Sequence, residues 1–269
     1  MTRLLRAEVL KLRTTRVLAQ YLVAALLLPA AMAGVIVHQA DLGRRNTPQE
    51  GFRTPGVVVR SSQSAERQAK RRALSAWSVA ALLVAALGIL VGAGEQQRGT
   101  LAALLLAEPR RRRVVVGKAL ACAALGLVLA ALAAAGGLLV AVLALHDRGV
   151  AVSLSGGRLL GLLAGGAGAC VLAGPVGVAT GVLLRSVAAG IALEVALLGV
   201  IEPILVQRMP GLARFSPGRV VDGLLGGWPL SGAEHARVLE PAAALGVAVL
   251  GTVLLLILAA RSLEAREVR

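Results

Sequence analysis

Apolar residues in this chain come in long unbroken runs, not in the short alternating or three-to-four spaced patterns of a soluble fold. Six runs can be drawn: Val17 to Val37, Leu74 to Ala93, Ala119 to Leu145, Leu159 to Leu184, Val187 to Val206 and Ala242 to Ala260. Each can cross a hydrocarbon core of about 30 Å at about 1.5 Å per residue. Nothing alternates like a lipid-facing strand, and a helix satisfies its own backbone in lipid, so every run is predicted to be helical. The expectation is an all-α polytopic membrane bundle of six transmembrane helices, forming one domain over residues 1–269. Within it, Gly174-Pro175 should kink the fourth helix. The fifth carries Glu194, Glu202 and Pro203 and fades near Val206.

The segments between the runs differ from one another. His38 to Ala73 is polar, contains Pro48, Pro55 and Gly56, and ends in Ser64 to Arg72, which reads as a short interfacial helix. Gly94 to Lys118 holds a short amphipathic piece, Thr100 to Ala107, then Pro109 and the run Arg110 to Arg113. Only Arg185-Ser186 separates the fourth and fifth runs. Gln207 to Glu240 is rich in Gly and Pro. Its apolar stretches, Met209 to Phe215 and Val220 to Leu230, are too short to span and read as a re-entrant or interfacial hairpin. Ala31-Met32-Ala33 resembles a signal-peptidase site, but the first run is too long for a typical cleaved signal and five more follow.

Composition agrees: 57% of the residues are hydrophobic and 16% charged, where a soluble domain has about a quarter charged. A mean hydropathy of +0.78 excludes a soluble two-domain enzyme, a disordered chain and a disulfide scaffold. The net charge of +15 would suggest nucleic acid in a soluble protein. Here it lies between apolar runs, so no nucleic-acid partner is expected and the lipid membrane is. With six helices, fifteen basic residues fall on the side of both termini and fourteen on the other. Position therefore decides: Arg3, Arg6, Lys11, Arg13 and Arg16 before the first helix, with the Arg110 cluster, favour cytoplasmic termini. The basic first outer loop runs against that rule. Only Lys11, Lys70 and Lys118 among the 29 basic residues are lysines, which fits the coding bias of a GC-rich bacterium and its cytoplasmic membrane. Cys122 and Cys170 read as small buried residues. Trp77 and Trp228 stand at membrane-interface positions, and His38, His146 and His235 lie at run ends or in loops without metal-ligand spacing.

The chain holds no G-x-x-x-x-G-K-[ST] loop and no nucleophile constellation, so no catalytic, cofactor or metal residue is expected. Its informative stretch is Gly94-Glu95-Gln96-Gln97-Arg98-Gly99-Thr100-Leu101, continuing through Leu104, Pro109 and Arg110 to Lys118. Gly99 permits a sharp turn, Thr100 can cap the short helix that follows, and Pro109 stops it. Glu95 is available to pair with a nearby arginine. Arg110 to Arg113 can anchor anionic headgroups or contact a partner.

This stretch resembles the cytoplasmic loop of ABC type-2 transporter permeases of the actinobacterial type. Leu5 to Arg16 is similar to their N-terminal interfacial helix, and Glu202-Pro203, Pro210-Gly211-Leu212 and Pro217-Gly218 to their outer hairpin. The resemblance covers essentially the whole chain. It implies a non-catalytic membrane subunit of an ATP-driven exporter, a homodimer or a heterodimer with a related permease. A separate ABC ATP-binding subunit would bind the ATP. Glu95, Gly99, Thr100, Leu101, Pro109 and Arg110 would then form a coupling helix docked on that subunit. Glu194, deep in the fifth run, is either a protonated, hydrogen-bonded acid or faces the substrate pathway. Glu202 lies near the outer end and braces the hairpin or joins that pathway. Two other classes stay open: an ion-gradient-driven transporter with Glu194 as proton carrier, and a non-transporting membrane regulatory protein.

Overall fold

The structure, a computed structural model, describes residues 20, 21, 23, 24, 27, 28, 31, 57–100, 106, 110–146, 156–226 and 238–265. For 57–76, 137, 138, 140–146, 156, 158 and 159 it describes the backbone alone. Among the described residues the regular structure is entirely helical, without a strand. In chain order the helices are α1 (Val57–Gln97), α2 (Arg111–His146), α3 (Gly156–Leu184) and α4 (Val187–Ala196). A π turn (Leu197–Ile201) leads into α5 (Glu202–Arg208), followed by α6 (Pro210–Ala213), α7 (Pro217–Leu224) and α8 (Pro241–Glu264). Five stretches are long and apolar enough to cross a membrane: Trp77–Gln97, Arg111–Gly136, Leu160–Leu184, Val187–Arg208 and Pro241–Glu264. Of the first apolar run, residues 20, 21, 23, 24, 27, 28 and 31 are helical. The rest of that run, and the N-terminal segment Leu5 to Arg16, lie outside the described residues.

Several boundaries move. The expected interfacial helix at Ser64 to Arg72 is not separate; it is continuous with the second span in the 41-residue α1. Hydropathy falls there while helix propensity does not, because Arg, Glu, Gln and Ala are good helix formers. At 41 residues and about 1.5 Å each, α1 is about twice as long as a hydrocarbon core is thick. The third span starts at Arg111, eight residues before the expected Ala119, which places Lys118 inside a span and not at its head. The fifth span does not fade at its glutamates. It stays helical through a π turn in which the Glu202 amide reaches back five residues to the Leu197 carbonyl. Pro203, next along, has no amide to give. The column ends at Met209, whose φ of −139° and ψ of 66° leave the helical region.

Helix association in lipid gains little from moving apolar side chains out of lipid; it needs close backbone approach. The α1–α3 contact supplies it with glycines from both sides. A Cβ on Gly88 or Gly92 would overlap the backbone of Gly174 or Val178, and one on Gly177 or Gly181 the backbone of Ala85 or Ile89. The α2–α3 contact repeats the device, with Gly126 against the Cys170 carbonyl and Gly174 against Cys122. Gly174 is thus a packing position, and α3 runs on through Pro175. Both cysteines are buried thiols, as expected. Gly157, Gly161 and Gly165 stand in the same four-residue spacing, but only Gly165 is used: its neighbour is the Leu224 carbonyl of α7, while the other two face open space. Trp77 is no interface anchor. It is buried in the core against Gly166, 5% exposed, because a glycine there leaves room for the indole.

Candidate functional site

Tight packing gathers the ends of α1, α3 and α8 and the starts of α2 and α4 at one end of the bundle. At the end of α1, Gly99 sits at φ +69°, a left-handed conformation that favours glycine. Its amide bonds to the Gln96 carbonyl (3.4 Å) and the Thr100 amide to the Glu95 carbonyl (3.1 Å). This double return, a Schellman closure, satisfies two carbonyls that a helix end leaves open. The expected turn at Gly99 is therefore present. Thr100 contributes its amide to the helix behind it; the short helix it was expected to cap lies outside the described residues. So do Leu101 and Pro109, while Leu106 is helical and exposed.

Glu95 turns inward. Its carboxylate meets the Lys118 ammonium at 2.7 Å, with both side chains about 95% removed from solvent, at 5% and 4% exposure. This partner is a lysine of the next span. Lys118 also donates to the Val91 carbonyl at 3.2 Å. Beside it the Gln96 amide reaches the Val182 carbonyl of α3 at 3.3 Å, and Arg98 folds back on Gly94 at 3.0 Å. One short stretch thus ties together α1, α2 and α3.

The arginine run divides. Arg112 grips the Glu264 carboxylate with Nε at 2.7 Å and Nη2 at 3.2 Å, and Arg111 Nη1 donates to the Leu263 and Glu264 carbonyls at 2.6 and 3.2 Å. Two cations thereby meet the carbonyl end of α8, where a helix carries partial negative charge. These two arginines tie the start of α2 to the end of α8. Arg110 is exposed, and its carbonyl starts α2 by accepting the amides of Arg113 and Val114. Arg110 to Arg113 and Glu264 line an open cavity of about 440 Å³.

Glu194 and Glu202 belong to neither cluster. Glu194 is half-buried on α4, within electrostatic range of Tyr21 of the first helix, and Tyr21 in turn packs on the core around Trp77. Glu202 accepts the Gly218 amide at 3.1 Å, which sets a carboxylate at the positive N-terminus of α7. In α7 the Arg219–Asp222 pair is buried at 3.5 Å. The helix packs on α3 through Gly165 and on α8 through Gly223 and Ala244. α7 therefore folds back onto the bundle, and Glu202 fastens its start to the fifth span.

Sequence reasoning quoted Lys118 but gave it no role, and passed over Tyr21 and the Arg219–Asp222 pair. Each had a signal. Lys118 is one of three lysines among 29 basic residues, and Tyr21 is the one tyrosine. Arg219 and Asp222 have the three-residue spacing of a helical ion pair. Among the described residues no group of His, Cys, Asp or Glu is placed to hold a metal.

No curated protein and no solved structure matches the chain. Residues 4–268, nearly the whole chain, match the family described as ABC-2 family transporter protein, a membrane transport component. Five apolar helices and this match together make it a multi-pass membrane protein: the chain belongs to the ABC-2 transporter family and is a transmembrane subunit of an ABC transporter.

Proposed function

We propose that this subunit forms, as a dimer, the substrate pathway of an ATP-driven exporter in a bacterial cytoplasmic membrane. It works with separate ATP-binding subunits that carry out the hydrolysis. The whole chain is one permease domain of six spans, the first at residues 17–37, with an interfacial helix before it and both termini in the cytoplasm. Glu95, Gly99, Thr100, Leu101, Pro109 and Arg110 belong to the segment that docks on the ATP-binding subunit. Glu194 and Glu202 line or brace the pathway.

The observation that carries the reading is the Schellman closure at Gly99 directly above the buried Glu95–Lys118 pair. A loop rooted so stiffly in two spans can pass a push from outside the bilayer into the bundle. The family adds the general expectation of an ABC ATP-binding partner. The test is co-purification of the chain with such a subunit, followed by Gly99→Val, which forces a β-branched residue into a left-handed turn. Permease-stimulated ATP hydrolysis should be lost while the amount of membrane-inserted protein holds. Unchanged stimulated hydrolysis in that variant would remove the coupling role.

A second reading has one observation behind it, the half-buried Glu194 facing Tyr21. Export driven by a proton gradient would use that carboxylate, and it would stop when the gradient is collapsed with ATP present. Export that persists under those conditions excludes it.

A further inference from the structure

We propose that Lys118 is a positioning residue for energy coupling. Its ammonium locks the two roots of the loop together, so that a push on the loop moves α1, α2 and α3 as one block that ends at Arg185. The inference rests on the docking role given above to the loop.

Four observations carry it. First, Lys118 is held from two directions, by the Glu95 carboxylate at 2.7 Å and the Val91 carbonyl at 3.2 Å, so it is fixed against α1 at two levels one turn apart. Second, Glu95 works twice: its carbonyl closes the Gly99 turn through the Thr100 amide while its carboxylate holds α2. Turn and span therefore cannot move independently. Third, Gln96 reaches the Val182 carbonyl, and the glycine contacts of α1 with α3 leave no room for sliding. Fourth, the block has a visible edge. Beyond Leu184 the chain turns through Arg185 at φ 58°, a left-handed non-glycine residue, and Ser186 caps α4 by accepting the Ala189 amide at 3.3 Å. In the span that follows, only 6% of the most apolar stretch is buried within the chain.

The chemistry suits registry better than stability. A buried ion pair is a weak stabiliser beside well-packed apolar residues, but it is satisfied in one geometry only. Lysine suits the place: a compact ammonium has three donors to satisfy, where a guanidinium would bring five.

The experiment uses the full chain co-purified with its ATP-binding subunit and reconstituted in lipid nanodiscs. Spin labels go at exposed Gln97 and Val116, which flank the pair, in a Cys122→Ala, Cys170→Ala background. Lys118→Met, Glu95→Gln and the swapped pair Glu95→Lys/Lys118→Glu are compared with the parent, without nucleotide and trapped with vanadate. The parent should show one narrow label distance in both states. Each single variant should broaden it and lower permease-stimulated ATP hydrolysis by about tenfold, a coupling loss of ordinary size. The swapped pair should recover both. Variants that keep a narrow distance or the parent's stimulated hydrolysis overturn the proposal. If a single variant does not fold, the swapped pair decides: recovered folding without recovered hydrolysis also overturns it. Absence of any co-purifying ATPase instead overturns the docking role. The label distance in the permease alone then still tests the lock.

Discussion

The α1 span and the span formed by α4, the π turn and α5 are nearly equal in length and apolarity, yet they are held in opposite ways. In α1 the most apolar stretch is 61% buried within the chain; in the fifth span the figure is 6%. Hydrophobicity cannot explain this, since lipid accepts Leu and Val as readily as protein does. The difference lies in small residues. Gly88 and Gly92 admit a neighbouring backbone, whereas Gly199 faces open space and the fifth span presents Ile191, Leu193, Val195, Val200 and Ile204 outward. One part of the molecule is packed within the chain and the other turns most of its apolar surface outward.

Four substitutions break or sharpen that contrast, in order of falling effect. Glu95→Ala takes the paired carboxylate away from the buried Lys118 ammonium and should cost about 3–5 kcal/mol. This is measured as lost stability to denaturant in detergent micelles. Gly177→Ala drives a methyl into the Ala85 carbonyl and should cost about 1–3 kcal/mol through overpacking, read as a lower melting temperature. Gly246→Ala on α8 meets nothing within 4 Å and should gain about 0.5–1 kcal/mol from helix propensity. A loss there would reveal a partner on that face. Arg112→Ala removes an exposed tie to Glu264, so the melting temperature should barely shift, and any shift should shrink in high salt.

Much of this fold was legible. Length and hydropathy placed the five described spans, and Gly99 announced its turn because few other residues tolerate that backbone. The misses share a cause: they depend on partners distant in sequence. Gly88/Gly92 and Gly177/Gly181 stand in the same spacing as Gly157/Gly161, and nothing local marks which pairs meet a backbone. Glu95 had several arginines closer along the chain than Lys118, and its contact with the lysine comes from the packing of α1 on α2. The polar half of α1 reads as a short separate helix because hydropathy reports the surroundings of a helix, not its extent. At the candidate site the turn was readable and the lock beneath it was not.

The π turn in the fifth span has a geometric consequence of its own. In an uninterrupted α-helix, residues eight apart point about 80° away from each other, at about 100° per residue. A π turn takes up one extra residue without advancing the helix beyond it. The interval from Glu194 to Glu202 spans Leu197–Ile201, so it counts as seven, and the angle closes to about 20°. The two acids thus share one stripe of the column, one beside Tyr21 and the other under α7. Deleting a single residue among Leu197 to Ile201 would leave the composition of the span almost untouched. It would also replace the π turn by plain α-helix with seven steps between the two acids, so the angle stays at about 20° and the fastening on Gly218 is kept.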